Sequence, residues 1–228
     1  MQKDHQKRKN KRKTRILKAN RKTISVAAQI LRNKGIVAFP TETVYGLGAC
    51  AFEASAVRKI FKAKGRPADD PLIVHVASID DAGKVVKRIP AVAVKLMKRY
   101  WPGPLTLVMP KSGRVPREVT AGLTTVAVRM PAHPVALELC KAVGPIAAPS
   151  ANTFGKPSPT KARHVYDDLK GRIPLIIDGG STHIGVESTI VTLATKPAKL
   201  LRPGKITVEQ LRRFLPDIKI VTSVKRIQ

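Results

Sequence analysis

Acidic residues are scarce in this chain. Its 43 lysines and arginines face only 15 aspartates and glutamates, for a net charge of +28 over 228 residues. Such an imbalance favours phosphate polyanions as partners, RNA above all. Cysteine is nearly absent: Cys50 and Cys140 lie in apolar contexts without metal-ligand spacing. That argues against a disulfide framework or thiolate metal site and for reduced thiols in a cytoplasmic compartment. No apolar run approaches the roughly 20 residues of a membrane span, so no membrane association is expected. No apolar segment of the kind a secretory signal needs follows the basic start; its scarcity of acids leaves a mitochondrial presequence open, against which count the missing serines and the lack of a clear apolar face.

Familiar nucleotide and hydrolase signatures are missing too. Gly155-Lys156 lacks the upstream glycine of a Walker loop. Gly46-Leu47-Gly48-Ala49-Cys50-Ala51 matches G-x-G-x-x-A, but its glycines lie well past the strand signal GIVAF, and Asp69 and Asp70 sit in a loop. The spacing is therefore wrong for a dinucleotide fingerprint. No Ser-His-Asp order, metal cluster or pair of catalytic carboxylates stands out.

What is present begins with a basic stretch. Residues 1–22 hold 11 of the cations and one acid, Asp4. With little apolar surface, they read as a disordered arm drawn to RNA, or as a solubility tail, with the folded catalytic domain spanning 23–228. Thr23 reads as the cap of a first helix. Beyond it, short β-branched runs (GIVAF, LIVHVA, LTLVM, TVAVRM, PIAA, LIID, STIVTL, AKLL, IKIVT) alternate irregularly with helical periods, with no internal repeat. This pattern predicts an α/β fold with an open mixed sheet, not a strict doubly wound one.

Several loops carry more polar chemistry than a turn requires. FPTETVYGLG packs Thr41, Glu42, Thr43 and Tyr45 directly after a buried strand. FKAKGRP sets Lys62, Lys64 and Arg66 on a tight turn, either as a phosphate-binding loop or as a solvated helix end whose cations suit the dipole. APSANTFGKPSPT offers Ser150, Asn152, Thr153, Ser158 and Thr160, a good cradle for phosphate or ribose. Arg129 ends a strand where an inward charge needs an anionic partner. His75 interrupts LIVHV, a position more often filled by a satisfied core histidine. Glu187-Ser188-Thr189 and Arg202-Pro203-Gly204 are ordinary turns taken alone.

Read together, FPTETVYGLG, KAKGRP, PLIVH, WPGPLTLV, VAVRMP, PSAN, GKPSPT, GVESTIV and LLRPG resemble the YrdC/Sua5 family of threonylcarbamoyl-AMP synthases over roughly residues 23–215. The resemblance is to the short, single-domain form; longer members add a second domain after a linker. It implies a YrdC-like twisted open sheet with a large basic concave cleft. It also implies an activity: condensation of L-threonine, bicarbonate and ATP, with Mg²⁺, into threonylcarbamoyl adenylate and pyrophosphate. A threonylcarbamoyl transferase complex would then modify adenosine 37 of tRNA, and RNA would be met through the basic arm and cleft.

Carried over by motif, Thr41, Thr43, Tyr45, His75, Arg129 and Ser188 would bind threonine. Lys64 and Arg66 would be catalytic on the ATP phosphates, with Thr125, Ser150, Asn152, Ser158 and Arg202 as further nucleotide contacts and no protein metal site. Asp70 stands where many relatives carry Asn. The competing expectation is a non-catalytic RNA-binding module on the same fold.

Overall fold

A computed structural model describes residues 13–221. The first apolar stripe, Ala27, Ala28 and Leu31, forms the buried face of helix α1 (Arg21–Arg32). Its cap is Asn20, whose side chain accepts from the Thr23 amide at 2.9 Å. Thr23, expected to be the cap, is buried inside the first turn. Upstream, Arg15–Lys18 is strand β1, so the expected boundary at residue 22 fails there. Ile16 and Leu17 give little apolar signal. Backbone pairing at a sheet edge makes this strand, reinforced by Thr14 Oγ1, which donates to Ile173 O at 2.6 Å. Residues 1–12 of the expected arm lie outside the described residues.

The run GIVAF becomes β2 (Val37–Pro40), and the polar stretch after it turns back as β3 (Tyr45–Cys50). The chain continues through α2 (Ala54–Lys64), β4 (Ile73–His75), α3 (Ile79–Val85), α4 (Ala91–Tyr100), β5 (Leu105–Pro110), α5 (Arg117–Thr120) and β6 (Thr125–Arg129). It then runs through α6 (Pro134–Val143), β7 (Ile146–Ala147), α7 (Ala162–Leu169), β8 (Leu175–Asp178), β9 (Thr189–Thr192), β10 (Lys199–Arg202), α8 (Val208–Arg212) and β11 (Lys219–Ile220). The piece after Ile206 ends in the edge strand β11 beside β10.

The strands form one mixed sheet in the order β1-β8-β2-β3-β7-β4-β6-β5-β9-β10-β11. Side-chain alternation separates its two faces. Val37, Phe39, Leu175 and Ile177 pack with α1 and α6, whereas Ala38 and Ile176 join the larger core with Leu47, Val57 and Ile60. Each such Leu, Ile or Phe, fully buried, contributes roughly 1.5–3 kcal/mol. Gly48 of β3 is a packing requirement, not part of a phosphate turn. A Cβ on Gly48 would come within 2.6 Å of both Ile146 Cγ2 and Phe39 Cε1.

Candidate active site

Strand ends and three loops converge on one cleft with two halves. The register of β4 against β6 sets His75 directly beside Arg129. Both line the inner half with Thr41, Thr43 and Ser188. The outer half is lined by Lys64, Asn152, Lys156 and Ser158, among others. Arg66, Ser150, Glu187 and Arg202 border both halves.

The inner half is built around Arg129, which is 3% exposed. Its Nε donates to Gly103 O at 3.2 Å and its Nη1 to Thr43 Oγ1 at 3.0 Å. Its Nη2 lies 2.6 Å from Glu42 Oε1, a buried ion contact without aligned hydrogen bonds. Glu42, for which no role was expected, therefore supplies the anionic partner that a buried guanidinium requires. Guanidinium N–H groups remain for a ligand. Thr41 closes the β2–β3 turn: its hydroxyl donates to Val44 O at 2.6 Å and accepts from the amides of Thr43 and Val44. His75 is held neutral, its pKa pushed down to about 3 by burial first and by Arg129's charge second. Its Nδ1 has no partner. Ser188 Oγ shares a 2.8 Å hydrogen bond with Thr106 Oγ1 and accepts from Arg202 Nη2 at 3.1 Å.

Tyr45 does not line the cleft with its expected companions. Alternation along the strand turns Val44 and Gly46 toward the cleft and Tyr45 away from it. The Tyr45 hydroxyl donates to Gly180 O at 2.6 Å and accepts from the Gly179 amide, fastening the segment that leads to Glu187. Burial pushes its pKa up to about 12.

At the outer half, Lys64 is only 1% exposed and turns inward. Its ammonium donates to the carbonyls of Ser150 and Asn152, the latter at 2.6 Å, with Asn152 Oδ1 at 3.4 Å. Lys64, expected on phosphate, lines the outer half and ties down the Ser150–Asn152 loop. Burial first, then Arg66, push its pKa from 10.5 to about 7. Asn152 completes that loop through Nδ2 to Thr153 O and Lys156 O. Arg66 is fixed through Nη2 to Pro71 O at 3.1 Å and to Asp70 at 2.9 Å, while its buried Nε has no partner. Arg66 borders the cleft on both sides. Arg202 donates from Nε to Ser188 O and from Nη1 to Glu187, and Ser158 Oγ donates to Glu187 at 3.0 Å. A Cβ on Gly204 would come within 2.6 Å of Thr189 N and 2.7 Å of Glu187 O, so glycine there lets the Arg202 loop close on this corner.

Thr125 also lies outside the cleft. It opens β6 in an adjoining apolar groove with Val108, Thr120 and Leu123, which shares Pro71, Leu72, Ile73 and Ile190 with the inner half. Sequence reasoning missed the two glutamates. Glu42 carried one usable signal, an acid enclosed by two threonines directly after a buried strand. Glu187 carried none beyond an ordinary turn.

Fold and site together define a class: a mixed α/β sheet domain with a buried arginine pocket opening onto a cationic loop cluster. Comparison with known proteins narrows it. The chain belongs to the Sua5/YciO/YrdC family, whose model, described as "Telomere recombination", matches residues 29–204. It is 56% identical over 202 residues to threonylcarbamoyl-AMP synthase of Pyrococcus abyssi, covering 88% of this chain and 59% of that one. The corresponding figures for threonylcarbamoyl-AMP synthase of Bacillus subtilis are 55% over 206 residues, 90% and 60%. The chain thus spans about three-fifths of the length of these curated relatives. The crystal structure of P. abyssi Sua5 complexed with L-threonine superposes with a TM-score of 0.89 at 52% identity, over 93% of this chain and 65% of that one. E. coli YciO, at 23% identity and a TM-score of 0.76, shares the fold over 86% of this chain and 98% of its own.

Proposed function

We propose that this domain condenses L-threonine, bicarbonate and ATP into threonylcarbamoyl adenylate and pyrophosphate. The observation that carries the reading is the shared wall. Arg66 and Arg202 border both the arginine pocket and the cationic loop cluster, so an amino acid in one half meets a triphosphate in the other. The relatives' name and the threonine complex of the P. abyssi protein support the same assignment.

In this reading the threonine carboxylate pairs with Arg129, held in place by Glu42 and Thr43, while neutral His75 and Ser188 add polar contacts. The threonine nitrogen attacks the bicarbonate carbon, and water leaves to give a carbamate. A carbamate oxygen then attacks the α-phosphorus, and pyrophosphate departs. Arg66 and Arg202, which border both halves, stabilise the charge that develops on the phosphates. Lys64 and Asn152 hold the Ser150 loop in place at the outer half. The adjoining groove, with Thr125 and the unpartnered buried hydroxyl of Thr120, suits a flat base. The work is positioning and electrostatics, with no covalent protein intermediate.

Mg²⁺ would arrive on the triphosphate, held by the ATP phosphates and water. Among the described residues no group of three or more metal-ligating side chains occurs. Mg²⁺ would supply charge neutralisation on the phosphates. The product would pass to a threonylcarbamoyl transferase complex acting on adenosine 37 of tRNA, with the basic surface meeting RNA. Among the described residues no helix is long and apolar enough to cross a membrane, and both cysteines are free, which supports a cytoplasmic setting. A non-catalytic RNA module would have no use for a buried Arg129–Glu42 pair facing a cleft.

The test is pyrophosphate release with threonine and bicarbonate omitted in turn. Release should require both; release unchanged without threonine would leave only a nucleotidase.

A further inference from the structure

Three cations at the outer half of the cleft have carboxylate partners, and the three partners are not equivalent. Asp70 holds Arg66 at 2.9 Å and Asp168 holds Lys156 at 2.8 Å. Neither of those acids lines the cleft; both support their cation from behind. Glu187 lines both halves. Its Oε2 sits on Arg202 Nη1, and its Oε1 accepts from Ser158 Oγ at 3.0 Å. It is the one carboxylate among the described lining residues, and it occupies two donors that an incoming phosphate would use.

The arginine donor is organised without it. Arg202 keeps its plane through Nε to Ser188 O at 3.0 Å and Nη2 to Ser188 Oγ at 3.1 Å. Removing Glu187 from Nη1 therefore frees a fixed, forward-facing donor and leaves no collapsed side chain. The carboxylate itself has room to move: its side chain is 33% exposed, so it swings outward without opening the core. The chain just before it bends at Gly185, with φ 73°, and presents Val186 to solvent at 53% exposure.

We propose that Glu187 is a placeholder for phosphate, released from Arg202 and Ser158 when a triphosphate arrives and returning to them to expel pyrophosphate. The identity of the displaced anion rests on the synthase reading; the displacement itself does not. Two anions cannot share the same pair of donors, because at such separations like charges repel strongly wherever water is partly excluded. While the cleft is empty, Glu187 compensates Arg202. When it holds nucleotide, the phosphate takes over that compensation, and Glu187 competes with the product for the same groups. The carboxylate thus lowers the affinity for both ATP and pyrophosphate and hastens turnover.

Glu187→Gln keeps the shape and removes the charge. Calorimetric titration with inorganic tripolyphosphate should show about tenfold tighter binding to the variant than to the wild type, the size of one partly exposed charge contact at a binding site. Steady-state assays should show a lower KM for ATP together with a lower kcat and stronger inhibition by pyrophosphate, a split that mere loosening of the loop does not produce. Glu187→Ala should move in the same direction. Tripolyphosphate binding that is unchanged or weaker in both variants overturns the proposal, as it would if Glu187 held a metal ion or merely oriented Arg202. Tighter binding in the variants of a protein whose wild type shows no threonine-dependent pyrophosphate release would support the placeholder and overturn the synthase reading.

Discussion

The inner half of the cleft and the wall at Arg202 hold their arginines in opposite ways. In the inner half, Arg129 and Glu42 are 3% and 6% exposed, and the guanidinium is clamped on three sides by Glu42, Thr43 and Gly103. At the wall, Arg202 is balanced by a one-third-exposed glutamate that shares its oxygens with a serine hydroxyl. A buried charge that loses its partner is costly, so the inner half is a rigid template suited to one small ligand. A partly exposed pair exchanges partners cheaply, which suits a site that must bind and then release a highly charged product.

Breaking the inner pair should have the largest effect. Arg129→Ala leaves Glu42 buried and unpaired and should lower unfolding stability by about 3–5 kcal/mol, besides abolishing threonine binding. Denaturant titration checks it, and Arg129→Met combined with Glu42→Leu should regain stability while threonine binding stays abolished. A stability decrease below about 1 kcal/mol, the range of an exposed pair, would put both pairs in the same regime.

At the shared wall, Arg66→Ala combined with Asp70→Asn, so that no buried acid is left unpaired, removes the proposed phosphate donor and should slow pyrophosphate release by about 100-fold or more. A near wild-type rate would reduce its loop to a solvated helix end.

Lys64 sharpens the comparison through pH. Its folded pKa of about 7 lies below the ordinary value of 10.5, so between those values the unfolded chain binds the extra proton. Stability from this group therefore rises as pH climbs through that window and is lowest below pH 7. The stability of the wild type relative to Lys64→Met should increase from pH 7 to pH 10 in parallel denaturation curves. A flat difference would mean that the ammonium is not desolvated.

The smallest effect concerns the basic start. Deletion should stop at residue 12, because Thr14 and Arg15–Lys18 are part of the sheet. Removing residues 1–12 should flatten the salt dependence of tRNA binding by roughly 0.7–0.9 log–log units for each phosphate that those residues neutralise. Pyrophosphate release without RNA should stay within about twofold. An unchanged slope would return those residues to a solubility role.

Most of the sheet was legible because its strands announce themselves as short β-branched apolar runs, buried on both faces. The elements that escaped are those made by context. Strand β1 exists through pairing with β8, and β3 hides behind glycines, of which Gly48 is needed for close packing on Phe39 and Ile146. The short helix α5 falls in a stretch read as loop. The cleft was legible as a set of motifs but not as a set of directions. Alternation turns Tyr45 out of it, and Lys64's ammonium is spent on carbonyls of a loop 86 residues away in sequence. Glu42 and Glu187 escaped because an acid's meaning lies in which arginine it meets, and register, not spacing, decides that.

The most direct measurement of the central claim, that one cleft joins an amino acid to a nucleotide through bicarbonate carbon, is mass spectrometry of the product formed from ATP, threonine and ¹³C-bicarbonate. A threonylcarbamoyl adenylate heavier by one mass unit than its unlabelled counterpart, absent when Arg129 is replaced by Ala, is the predicted result. An adenylate that carries no label, or AMP and pyrophosphate formed without any labelled product, would contradict it.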